Sequence, residues 1–237
     1  MSRILVALDV DTAPQAIALA DSLRGVVAGF KVGKQLFTAE GPEIVRALAA
    51  RGDRVFLDLK FHDIPNTVAG AIRSSVATGA WMVNVHATGG RKMMQMAAEA
   101  ARTTAEQLGK ERLLVVGVTV LTSLDDAKLQ EIGVAETVAA QVVRLAMLAQ
   151  ESGLDGVVAS PQEISVLRQA CGPDFLIVTP GIRPRSSALA HDDQARTMEP
   201  AAAFAAGASY LVVGRPITAD ANPRAAAEVI ALSTTAS

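Results

Sequence analysis

The feature that most constrains this chain is an alternation that runs its whole length. Eight short apolar runs recur at Ile4–Val10, Gly29–Val32, Arg54–Leu59, Met82–His86, Leu113–Thr119, Gly156–Ala159, Leu176–Thr179 and Tyr210–Val213. Longer segments with helical spacing lie between them. Several runs are apolar at nearly every position, as in Leu113-Leu-Val-Val-Gly-Val118. A strand of that kind is covered on both faces, which is the situation of a parallel sheet beneath helices. The helical segments carry their own punctuation. Thr12 is expected as an N-cap with Pro14 in the first turn, and Ile17, Ala20 and Leu23 then fall on one side. Val138, Val142, Leu145 and Leu148 form a second stripe. Gly52, Gly79, Gly153 and Gly207 each follow a helical pattern and precede a strand, where a glycine ends a helix.

Eight βα units in 237 residues predict an α/β fold, a single-domain (β/α)8 TIM barrel over 1–237. A doubly wound sheet would want G-x-G-x-x-G after its first strand, and that strand runs instead into Leu8-Asp9-Val10-Asp11-Thr12. No linker, low-complexity tract or charge block divides the chain. Half the residues are hydrophobic, but six Phe, one Tyr and one Trp are the only aromatics, so Ala, Val, Leu and Ile must fill the core. The 22 basic and 24 acidic side chains leave a net charge of −2 without basic clusters, which argues against a nucleic-acid or anionic-membrane surface. No run reaches the ~18 apolar residues needed to span a bilayer. Asp9 interrupts the N-terminus before a signal-peptide apolar region develops, and the lone Cys171 has no intramolecular disulfide partner. A cytoplasmic protein is the expectation.

In such a barrel the chemistry lies at the C-terminal ends of the strands. Polar residues that interrupt apolar strands there are therefore informative. The first strand ends in Asp9, the second in Lys31, and the third in Asp58-Leu-Lys60-Phe-His-Asp63. The fourth ends in Asn84-Val-His86, the fifth leads through Thr119 to Thr122, and the eighth runs into Gly214-Arg215-Pro216. Period two puts Asp58 and Lys60 on one face and sends Leu59 into the helical layer. Asp63 falls in the turn before a helix that begins near Pro65-Asn66-Thr67. A structural ion pair with a capping aspartate is the plain alternative for this trio. Asn84 and His86 share an inward face and are expected to form a polar layer supporting the lysines. His62 is expected at a helix entry with solvent or backbone contacts, His191 on the surface, and Cys171 in packing. Met93, Met94 and Met96 read as core or dimer-interface packing.

The last two units carry the signals for an anion. Backbone N–H groups at Gly214-Arg215-Pro216 can approach a phosphate, and Arg215 can grip it bidentately. After the seventh strand comes Pro180-Gly-Ile-Arg183-Pro184 and then about 15 residues without helical pattern. A connection that long, at about 180–198, is expected to be a phosphate-gripping lid, with Arg183 and Gln194 as its donors. Loops after strands seven and eight are the usual phosphate site of this fold.

Asp58-Leu-Lys60-Phe-His-Asp63-Ile-Pro-Asn-Thr67 resembles the signature of the orotidine 5′-monophosphate decarboxylase family, bacterial type. Leu8-Asp9, Phe30-Lys31-Val32-Gly33, Val118-Thr-Val-Leu-Thr-Ser123, Thr179-Pro-Gly-Ile-Arg183-Pro and Val213-Gly-Arg215-Pro follow in the family's order. The resemblance implies decarboxylation of orotidine 5′-monophosphate to uridine 5′-monophosphate, the last step of pyrimidine nucleotide synthesis, with no metal or organic cofactor. It implies Lys60 as proton donor to C6 of the pyrimidine, within a charge array completed by Asp58, Asp63 and Lys31. It implies ribose contacts from Asp9 and Lys31, a pyrimidine contact from Thr122, and phosphate contacts from Arg183, Gln194, Gly214 and Arg215. It also implies a homodimer in which Asp63 and Thr67 reach the partner's active site, so that Thr67, like Asp58, counts among the substrate contacts.

Losing carbon dioxide from C6 leaves an electron pair in an in-plane orbital that the pyrimidine π-system cannot delocalise. Without a cofactor to act as electron sink, the protein must set a cation beside C6, and Lys60 meets that need. Three rivals remain. A Schiff-base aldolase would need Lys60 or Lys31 neutral, whereas both stand beside carboxylates. Metal-dependent sugar-phosphate decarboxylases and synthases share Asp-x-Lys-x-x-Asp and would set Asp58 and Asp63 on Mg²⁺, but the Ile64-Pro-Asn-Thr67 continuation argues against them. A non-catalytic phosphosugar-binding barrel uses Arg215 and the long loop and leaves the Asp–Lys–Asp cluster idle.

Overall fold

All eight apolar runs form strands in the computed structural model, which describes residues 2–183 and 197–233. They are β1 (Ile4–Ala7), β2 (Gly29–Gly33), β3 (Val55–Phe61), β4 (Met82–His86), β5 (Leu114–Val118), β6 (Gly156–Val158), β7 (Leu176–Thr179) and β8 (Tyr210–Val213). Each pairs in parallel with the next, and β8 closes on β1 through Leu5↔Val212. Helices stand between successive strands, so the chain is a single-domain (β/α)8 barrel. Among the described residues no helix is long and apolar enough to cross a membrane.

Alternation along each strand builds two apolar shells. Leu5, Ala7, Phe56, Met82, Val116, Val178 and Val212 fill the barrel. Their strand neighbours Val6, Leu57, Val83, Val115, Ile177 and Leu211 face outward and pack against helix residues such as Ala20, Ile72, Met94 and Leu167. Leu59 belongs with this outer shell, as expected. Met93 and Met94 are fully buried there, and the partly buried Met96 packs against the same core.

β1 stops at Ala7 and not at Val10, because a helix start claims the residues that follow. Thr12 accepts a hydrogen bond from the Gln15 backbone, and the Gln15 side chain accepts one from the Thr12 backbone. This capping box fixes the helix Ala13–Leu23. Asp9 therefore stands in the turn beyond β1. The helix Pro65–Thr78 ends on Gly79 at φ 85°, a left-handed position that suits a residue without Cβ.

One strand is irregular. β3 pairs with β4 at Leu57↔Val83 and next at Phe61↔Val85, so the register shifts between them and β3 bulges. Within that bulge Lys60 has φ 54°, the left-handed region that an L-residue seldom occupies.

Candidate active site

The charged residues at the C-terminal ends of β1, β2 and β3 form one connected array. Asp58 is its hub. Lys60 Nζ donates to Asp58 Oδ1 at 2.6 Å, and Lys31 Nζ lies 3.6 Å from Asp58 Oδ2. Lys31 Nζ also donates to Asp9 Oδ1 at 3.0 Å. Signs alternate along Asp9–Lys31–Asp58–Lys60, so each inner ion has an opposite charge on either side. Lys31 is buried, and its reach depends on Gly33, the next residue on the same face of β2. A Cβ at Gly33 would lie 2.8 Å from Lys31 Nζ and 3.3 Å from Asp9 Oδ1. Any other residue there would push the ammonium off its path.

Asn84 on β4 ties this array to the next strand. Its amide donates to Asp58 Oδ1 at 2.7 Å and accepts from the Lys60 backbone N–H at 2.7 Å. The polar layer expected from Asn84 is thus present. His86 lies further along β4, at the rim. Burial, then the positive surroundings of His62, Lys60 and Lys34, hold its imidazole down to about 4, with Asp58 opposing. His86 is therefore neutral near pH 7. His62 faces it with ring centroids 5.4 Å apart, a ring partner that the sequence reading did not give it.

A cleft of about 280 Å³ opens on the array. Asp9, Lys31, Asp58 and Lys60 line it together with Thr122 and the apolar side chains Val118, Val120, Leu121 and Val158. Arg183, Gly214 and Arg215 line it as well. Because β8 neighbours β1, the two charged groups meet at Gly214, where a Cβ would lie 3.9 Å from Asp9 Oδ2. Gly214 caps the short helix Arg215–Thr218. Arg183 sits just after an isolated bridge, Ile182↔Met198. Its backbone N–H donates to Met198 O at 3.0 Å, and Met198 N–H donates to Gly181 O at 3.3 Å, so the two ends of the 184–196 connection are joined. Gln194 and His191 lie outside the described residues.

Asp63 and Thr67 do not line this cleft. Both are exposed, and Asp63 Oδ1 accepts from the Ile64 N–H at 2.6 Å. Ile64 between them is 67% exposed, a large apolar residue open to solvent in the isolated chain. Among the described residues no three His, Cys, Asp or Glu side chains gather as metal ligands would. Sequence reasoning missed Gly33 and the left-handed Lys60. The first had a signal, a glycine two residues after an inward lysine, and the second had none.

Comparison with known proteins places the chain. The family described as Orotidine 5'-phosphate decarboxylase / HUMPS family matches residues 2–230. An orotidine 5'-phosphate decarboxylase of Moorella thermoacetica is 55% identical over 230 residues, covering 97% of this chain and 90% of the relative. One from Alkalilimnicola ehrlichii is 57% identical over 225 residues, covering 95% and 93%. The crystal structure of orotidine 5'-phosphate decarboxylase from Lactobacillus acidophilus superposes with a TM-score of 0.87 at 36% identity, covering 100% of both chains.

Proposed function

The chain belongs to the orotidine 5′-phosphate decarboxylase / HUMPS family, and on that premise we infer that it converts orotidine 5′-monophosphate to uridine 5′-monophosphate and carbon dioxide in pyrimidine biosynthesis. It is a carboxy-lyase. The observation that carries this reading onto the chain's own residues is the Asp58–Lys60 contact of 2.6 Å, set in the same cleft as Arg183 and Arg215.

The mechanism follows from what such a cleft can do. The bond from C6 to the carboxylate breaks, carbon dioxide leaves, and the electron pair stays on C6. The Lys60 ammonium stabilises that charge as it develops and then delivers a proton from Nζ to C6. Asp58 holds the ammonium in place, and Lys31 and Asp9 steady Asp58 from its other side while meeting the ribose hydroxyls. Asp58 also stands against the substrate carboxylate. Thr122 orients the pyrimidine. The phosphate sits far from the breaking bond, between Arg183, Gly214 and Arg215, with Gln194 from the 184–196 connection closing over it as a lid. Its binding energy closes the cleft and expels water.

The working unit is a homodimer in the cytoplasm. Asp63 and Thr67 enter the partner's cleft, and their exposure beside the open Ile64 supports this arrangement. No cofactor takes part.

An ultraviolet assay of orotidine 5′-monophosphate loss, run with and without chelator, tests the reading. Turnover unaffected by chelator is expected. No turnover from folded protein overturns it, and loss on chelation overturns its metal-free mechanism.

A further inference from the structure

We propose that Asn84 is the positioning residue for Lys60: its side-chain amide fixes both the lysine's backbone and the carboxylate that aims its ammonium. The assignment rests on the decarboxylase reading above.

Lys60 occupies a conformation that its own chemistry disfavours. At φ 54° the Cβ of an L-residue crowds its backbone, and such a residue persists only when its surroundings over-determine it. The surroundings here are few. The ladder with β4 is interrupted between Leu57↔Val83 and Phe61↔Val85, so regular pairing does not hold the Lys60 N–H. Asn84 Oδ1 accepts that N–H instead, at 2.7 Å.

The same amide reaches the other end of the lysine. Asn84 Nδ2 donates to Asp58 Oδ1 at 2.7 Å, and that oxygen also receives Lys60 Nζ at 2.6 Å. Backbone N–H, amide, carboxylate and ammonium thus close a ring of three hydrogen bonds through Asn84. Its side chain is fully buried, so water does not substitute for either bond. A carboxamide is the group that suits the ring, because it presents one acceptor and one donor about 2 Å apart on a planar head. Leucine matches its shape and offers neither. Aspartate offers the acceptor alone when ionised, and both when protonated, because a carboxylic acid pairs a carbonyl with a hydroxyl donor.

That difference supplies a test. The ionisable groups facing position 84 are Asp58 and Lys60 on β3, with Lys31 of β2 behind Asp58 and His86 further along β4 itself. A carboxylate introduced there is buried against Asp58, and a like charge at that distance favours its protonated form. We therefore expect Asn84→Leu to lower kcat by about 10²-fold, as an ångström-scale misplacement of a reacting group does. KM, and the affinity for uridine 5′-monophosphate, should change far less. Asn84→Asp should be as poor as Asn84→Leu at high pH and recover relative to wild type as pH falls. A purely structural asparagine gives no such recovery. Asn84→Leu within about threefold of the wild-type kcat, or an Asn84→Asp to wild-type ratio flat with pH, overturns the assignment. If Asn84→Leu fails to fold, judged by its circular dichroism and a cooperative urea transition, the Asn84→Asp profile decides alone, whereas a folded Asn84→Leu that no longer binds uridine 5′-monophosphate overturns the assignment. Wild-type inactivity instead brings down the decarboxylase reading and this assignment with it.

Discussion

On the β1–β4 side of the cleft the charged groups stand on or just past strands and satisfy one another. Asp9, Lys31, Asp58 and Lys60 are linked at 3.0, 3.6 and 2.6 Å, and Asn84 cross-ties them. On the β7–β8 side, Arg183 and Arg215 stand on connections, one beyond an isolated bridge and the other at the start of a four-residue helix. The first arrangement suits a charge that must be in place before the substrate arrives, because reorganising it during the reaction would consume the stabilisation it offers. The second suits a group that turns binding into closure. On the proposed function, one cleft divides its work between a half set before binding and a half that responds to it.

The sharpest way to break this division is at Lys60. Lys60→Ala should reduce kcat by at least about 10³-fold, since it removes both the stabilising cation and the proton donor. Uridine 5′-monophosphate binding by calorimetry should persist, because the arginine side is untouched. Substantial residual decarboxylation would end the assignment. On the other side, Arg215→Ala should cost about 3 kcal/mol in kcat/KM with the nucleotide, the scale of a lost charge-assisted bidentate contact. With the phosphate-free nucleoside it should cost little. Equal losses on both substrates would mean that the two halves are not separable in this way.

Smaller effects probe the fixed half alone. Lys60→Gly should be more stable than Lys60→Ala by about 1 kcal/mol in urea unfolding, because glycine accepts the positive φ that alanine resists. Equal stability would show that the left-handed backbone is not under strain. The smallest effect is at His86. Its folded value of about 4 lies below the ordinary 6.5. The unfolded chain therefore takes up a proton between these values that the folded chain refuses. The resulting stability is fully present above pH 6.5 and lost as pH falls towards 4. His86→Gln should flatten the urea midpoint across that window, and an unchanged slope would assign the acid sensitivity elsewhere.

The barrel was legible because burial on both faces leaves parallel strands as unbroken apolar runs, and eight such runs permit few closures. Boundaries blurred where composition did not change. Val10 is as apolar as Val6, yet β1 ends earlier because Thr12 and Gln15 organise the next helix. Of the residues expected at the site, Asp9, Lys31, Asp58, Lys60, Thr122, Arg183, Gly214 and Arg215 line one cleft, but how they meet was less legible. Asp58 and Lys60 meet as their spacing suggests, but through a bulge and a left-handed lysine that leave no mark on the sequence. Asn84 was visible as a polar residue in an apolar strand. The His62–His86 contact depends on how the end of β3 lies against β4, which no single segment encodes. Asp63 and Thr67 lie off the chain's own cleft, which their nearness in sequence to Lys60 did not reveal. Gln194 lies outside the described residues.

The bridge between Ile182 and Met198 has a consequence for how such a protein can change over time. By joining the two ends of the intervening connection, it makes the barrel indifferent to the number of residues between them. Doubling a loop of that kind costs only about 0.6 kcal/mol in closure entropy. Insertions and deletions there leave β7, β8 and the lysine array where they are. If the proposed lid is right, a change of length there alters what covers the phosphate while the lysine array keeps its geometry.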